Sequence, residues 1–229
     1  MAEFAHFKPS MITFLRQLAR NNTREWFADN KQRYEDLVRE PALDFISAMG
    51  QPLADITPYF VAVPKKTGGS LMRPYRDTRF SKDKTPYKTN VGIQFRYEFG
   101  KDVHAPGFYV HIDPHEVFVG AGMWHPDREP LRAIRDAIVD DPKGWKAARD
   151  QRTFRRHFDL AGSQLKTAPR GFDKSHPMID DLRRKDFIGV KVMTHDVLYS
   201  PQLLKTMAQT FRAASPFMTF LCRAVGARF

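Results

Sequence analysis

The sequence predicts an α+β fold, with a largely antiparallel central sheet and N-terminal and C-terminal helices packed on it. Three observations carry that prediction. Apolar residues recur at helical spacing near both ends of the chain. In the middle they form short runs, one of them strictly alternating. The connections between those runs are short, which favours a meander over a parallel sheet. The chain has 229 residues, 42% of them hydrophobic and 13% aromatic, enough for a core within one large domain. The expected organisation is a single domain over residues 1–229: helical at 9–56, β-rich at 59–124, and helical with one or two strands at 127–229.

The N-terminal zone reads as three helices. Ser10 is placed to cap the first, which carries Ile12, Leu15 and Leu18 on one side. Asn22 and Glu25 have capping-box spacing for the second, with Trp26, Phe27, Tyr34, Leu37 and Val38 on its apolar face. Pro41 opens or kinks the third. In the β zone, Phe60 to Val63 and Gly92 to Phe99 read as strands, and Gly100-Lys101-Asp102 as a turn. Phe108, Val110 and Ile112 alternate with Tyr109, His111 and Asp113, the pattern of a half-buried strand. Pro114-His115 turns the chain into Val117 to Gly120. Beyond Asp127, a candidate cap, helices are expected near Pro130–Ile138, Lys143–Arg149, Leu203–Arg212 and Phe217–Val225. Phe154–Leu160 and Phe187–Met193 are the expected late strands.

Composition narrows the class. No apolar run approaches membrane-spanning length, and the first residues lack the pattern of a secretory signal. The single cysteine, Cys222, lies in an apolar stretch and reads as a small buried hydrophobe, which fits a cytoplasmic location. Formal net charge is +11, a balance that favours anionic partners: an anionic small molecule or nucleic acid, and no membrane. Much of the excess is concentrated. Between Lys65 and Lys101 stand ten cations against Asp77, Asp83 and Glu98.

The densest part of that stretch runs from Arg73 to Lys88. Arg73, Arg76 and Arg79 supply planar forks suited to carboxylate or phosphate oxygens. Asp77 and Asp83 can hold those forks, and Lys84 and Lys88 add point charge. Lys84 and Tyr87 are candidate proton donors. In an extended chain Arg73 and Arg79 share one face and Arg76 takes the other, unless a turn near Thr78 reunites them. Three readings stay open at this point: an anion-binding site with or without chemistry, a wider nucleic-acid surface, and an internal ion-pair network in a structural or partner-binding protein.

The pattern Arg73-x-x-Arg76-Asp77-x-Arg79-Phe80-x-x-Asp83-Lys84-x-x-Tyr87 resembles the signature of the family named as domain of unknown function number 2461. Asn21-Asn22-x-Arg24-Glu25-Trp26-Phe27 and Gly120-x-Gly122-x-Trp124 resemble the same family. The resemblance implies one full-length domain of bacterial type and brings no mechanism or cofactor with it.

Other candidates are weaker. His104, His111, His115 and His125 fall within the β zone, but their spacing matches no zinc pattern, so no metal is expected. His111 is the preferred general-base histidine. Gly120-Ala121-Gly122 lacks the residues of a phosphate loop and reads as a close backbone approach or a bulge. The Gly-x-Ser-x-Gly elbow of α/β-hydrolases is absent.

Overall fold

The computed structural model describes residues 4–97 and 105–229. The expected turn at Gly100-Lys101-Asp102, the end of the strand predicted to Phe99, and His104 lie outside them.

Five short helical segments come first: α1 (Pro9–Arg20), α2 (Arg24–Asp29), α3 (Lys31–Tyr34), α4 (Glu40–Ala48) and α5 (Gly50–Ala54). Two expected caps are corrected. Pro9 takes the first position of α1, where its fixed φ suits a helix start, so Ser10 lies inside the helix and Lys8 precedes it. The cap of α2 is Thr23, whose hydroxyl accepts from the Trp26 N–H, and not Asn22. Between α3 and α4 the helix widens into a π-turn over Glu35–Arg39. Pro41 stands just beyond it, and its missing N–H removes a donor from the α-helical ladder at that point.

Among the described residues six strands form one antiparallel sheet in the order β1-β2-β3-β4-β6-β5. They are β1 (Phe60–Val61), β2 (Val91–Tyr97), β3 (Gly107–Ile112), β4 (Val117–Met123), β5 (Asp159–Ala161) and β6 (Phe187–Met193). β1 stops two residues short of its predicted end, and β6 matches its predicted limits. Phe154 is a correction: it belongs to a helix, α8 (Arg152–His157), whose first turn is held by the Gln151 side chain accepting from the Phe154 N–H. The remaining helices are α6 (Arg128–Asp140), α7 (Pro142–Arg149), α9 (Ile179–Leu182), α10 (Leu203–Ala213) and α11 (Ser215–Ala224). Asp127 precedes α6 as expected, without a side-chain capping bond.

Alternation decides which sheet face is covered. Phe108, Val110 and Ile112 of β3 are fully buried together with Ile93 and Phe95 of β2 and Val117 and Val119 of β4. α10 docks there through Phe211, stacked on Phe108 at 4.5 Å and edge-on to Phe95 at 5.7 Å. Trp145 of α7 meets Phe187 of β6 and Phe217 of α11. Cys222 is buried in α11, and burial pushes its thiol up to about 12, as a packing role requires. On the other face Tyr109, His111 and Phe118 are partly exposed and Val192 is open to solvent. Gly122 has φ +129 and lies against the Phe187 backbone, the close approach anticipated for this glycine pair. No helix among the described residues is long and apolar enough to cross a membrane.

Candidate functional site

The Arg73–Lys88 segment leaves the sheet edge and returns to it. Near the sheet, Leu71 bridges to Ile93 of β2, and the Met72 N–H donates to the Gly92 carbonyl. Further out, the two arms meet in a narrow antiparallel pair. Arg76 donates its N–H to the Pro86 carbonyl at 2.9 Å, Lys88 donates to the Pro74 carbonyl at 2.7 Å, and Tyr75 faces Tyr87. Each proline contributes its carbonyl, so neither misses a donor it lacks.

A long-range clamp fixes this hairpin. The Asn22 amide donates to the Tyr87 carbonyl at 2.9 Å and accepts from the Tyr87 N–H at 3.0 Å. The side-chain amide thus stands in for a neighbouring strand. The Tyr87 ring is buried and stacks on Phe27 of α2 at 4.0 Å and 17°, with Tyr75 on its other flank at 5.4 Å. Burial, with the nearby Tyr75 hydroxyl, raises the Tyr87 pKa, so its phenol stays protonated at neutral pH.

Beyond Asp77 the chain reverses, and the three arginines part company. Arg76 crosses to the opposite arm, where its guanidinium holds Asp83 and the Thr85 hydroxyl. Arg79 forms a two-pronged pair with Asp77, at 2.7 Å and 3.0 Å. Arg73 is exposed and makes no hydrogen bond or ion pair to another described residue. The Arg79 guanidinium holds the Asp77 carboxyl down to about 2. The Thr85 N–H, helped by Arg76, does the same for Asp83, also to about 2. Both pairs lie at the surface within one loop, so they shape the loop and add little to global stability. They are not the buried network of the third reading, and the three forks do not converge on one point.

Convergence occurs elsewhere. An open cavity of about 510 Å³ separates the hairpin from the start of α2. Its walls are Asn22, Thr23, Arg24, Tyr75, Arg76, Thr78, Lys84, Pro86 and Tyr87. Arg24, Arg76 and Lys84 bring three cations to it, and no carboxylate lines it. Two other surface cavities are lined by acids and bases mixed: Arg149, Asp150, Asp180, Asp181 and Arg184 in one, Glu35, Asp36, Arg39, Glu40 and Lys66 in the other. Lys84 reaches across the loop to donate to the Thr78 carbonyl at 2.9 Å. Arg24 has no hydrogen-bond or ion-pair partner among the described residues.

Of the residues singled out in the sequence, Arg76, Lys84 and Tyr87 line this cavity, while Asp83 backs Arg76. Arg73, Asp77, Arg79 and Lys88 are not among its lining residues. Lys88 is half-buried, and burial with the nearby Arg73 charge lowers its pKa. His111 sits on the open sheet face instead, stacked on Phe118 at 4.5 Å, with the Tyr109 hydroxyl 3.1 Å from its Nδ1. Burial lowers its pKa and favours the neutral ring. Asn22, Thr23 and Arg24 escape a local reading because they lie far upstream of the hairpin, Asn22 being 65 residues from Tyr87. Among the described residues no group of His, Cys, Asp and Glu is arranged to hold a metal.

Fold and cavity together define an α+β protein with a cationic hollow beside a clamped hairpin. The chain belongs to the family described as conserved hypothetical protein (DUF2461), whose profile matches residues 10–220. Comparisons with curated proteins and with solved structures found no match.

Proposed function

We propose that the cavity between α2 and the hairpin binds a small phosphate-bearing ligand. One observation carries the reading: three cations and four hydroxyl-bearing side chains line a hollow of ligand size from which carboxylates are absent. Arg76 is pre-oriented by Asp83 and Thr85, so little side-chain entropy is lost when it grips an oxyanion. Arg24 and Lys84 close on the same space. The Tyr75 ring, half-exposed at the rim, offers a face for a planar part of the ligand. Where chemistry follows binding, Lys84 and the protonated Tyr87 hydroxyl are the groups placed to give a proton.

A second reading rests on Phe80. It is 95% exposed at the outer loop, with the Arg79 guanidinium 5.8 Å from its ring centre and Lys82 two residues on. An aromatic side chain flanked by cations suits stacking on a single-stranded base.

Isothermal titration with inorganic pyrophosphate and with a single-stranded oligonucleotide separates the two. The expected result is saturable pyrophosphate binding that weakens about tenfold in Arg24→Ala and in Lys84→Ala, about 1.4 kcal/mol each. The melting temperature should hold in both, because both side chains are exposed. Pyrophosphate binding that is absent, or unchanged in these variants, overturns the proposal. Oligonucleotide binding that falls steeply with salt and is lost in Phe80→Ser selects the second reading.

A further inference from the structure

A different cluster lies where β4 ends. His125 has φ +47, the one positive φ at a non-glycine residue among the described residues. It is held there by Asp186, which directly precedes β6 and is 1% exposed. One carboxylate oxygen of Asp186 accepts from the His125 N–H at 2.8 Å and lies 2.6 Å from His125 Nδ1. The other accepts from the N–H and hydroxyl of Ser163, at 2.8 and 3.0 Å. Burial works against the Asp186 charge, but these donors outweigh it and leave the pKa lowered. The His125 side chain is itself 52% exposed, and the Trp124 ring stacks on it at 4.4 Å and 25°.

A purely structural role does not call for this side chain. Pinning the β4 exit needs the backbone N–H, and a left-handed residue is accommodated at lower cost as Gly or Asn. What the imidazole adds is chemical. Its Nδ1–H is committed to a buried carboxylate, so the neutral ring carries its lone pair on Nε2, away from Asp186.

We propose that His125 and Asp186 form a proton-transfer dyad for a hydroxyl-bearing ligand, or a water, held against Trp124. In the step, the ligand O–H bond breaks and an N–H bond forms at Nε2. The oxygen keeps the electron pair as a nucleophile, and Asp186 stabilises the imidazolium until the proton is returned. Asp186 and Ser163 are positioning residues here, since the Ser163 hydroxyl is spent on the carboxylate.

Diethyl pyrocarbonate probes the full chain directly. The Nε2 lone pair attacks its carbonyl carbon, and the leaving ethyl carbonate decays to ethanol and carbon dioxide. Peptide mapping should show His125 reacting several times faster than the exposed His6 and His115. Asp186→Asn should slow His125 severalfold, because a neutral amide polarises the Nδ1–H less than the carboxylate 2.6 Å away does, and leave His115 unchanged. Should that variant not fold, the unmodified protein still decides, because nitrogen NMR of its rings must show His125 as the Nδ1–H tautomer. A His125 that reacts no faster than His115, or carries its proton on Nε2, overturns the dyad.

Discussion

Gly122→Ala is expected to destabilise the fold by about 3 kcal/mol or more. Two costs coincide at this position. The backbone sits at φ +129, where an L side chain is strained by itself. A methyl group there would also run into the Phe187 carbonyl and approach the Ile188 Cα to 3.1 Å. Both neighbours are backbone of the adjacent strand β6, so neither yields by changing rotamer. Urea unfolding is the measurement: the midpoint should fall sharply, while Gly120→Ala, whose added atom meets nothing closer than 3.7 Å, should change it far less. Equal midpoints for the two variants would show that β4 and β6 do not approach as described.

Asn22→Ala is expected to cost about 2–4 kcal/mol and to take the ligand cavity with it. The amide makes both hydrogen bonds to the Tyr87 backbone, and Tyr87 is buried, so truncation strands a donor and an acceptor where water reaches them poorly. Removing them loosens the Tyr87 ring from Phe27 and lets the hairpin swing from α2. Hydrogen exchange gives the check. The Tyr87 amide should lose its protection in Asn22→Ala, together with Arg76 and Lys88, whose N–H groups bond across the same two arms. Asn22→Asp is informative beside it: the carboxylate still accepts from the Tyr87 N–H but cannot donate to its carbonyl, so an intermediate loss is expected.

Much of the architecture is legible in the sequence because periodicity survives in it. The alternation around Phe108, Val110 and Ile112 places β3 and its buried face, and the apolar run Phe187–Met193 gives β6 its limits. Phe154 misleads for a specific reason. Phe154 and Phe158 stack at 5.3 Å, a spacing of four that belongs to a helical turn and its exit, while the run of aromatic and aliphatic residues to Leu160 looks strand-like. The residue types of the hairpin are plain in the sequence, but their directions depend on where the chain reverses. Arg76 turns inward to Asp83 and Arg79 stays outside with Asp77. The partners of the hairpin carry no local signal at all. Asn22 reads as a cap from its neighbours, and only the fold shows it bonded to Tyr87, 65 residues away. His125 and Asp186, 61 residues apart, are joined in the same way.

The most direct test of the anion site is a pyrophosphate titration followed by amide NMR on the isotopically labelled native chain. Binding in the cavity predicts saturable shifts concentrated at Asn22, Thr23 and Arg24 and from Tyr75 to Tyr87, with amides of β6 and α11 still. Shifts scattered over the basic surface, or none at millimolar pyrophosphate, would contradict the assignment of this hollow as the place where the protein holds its ligand.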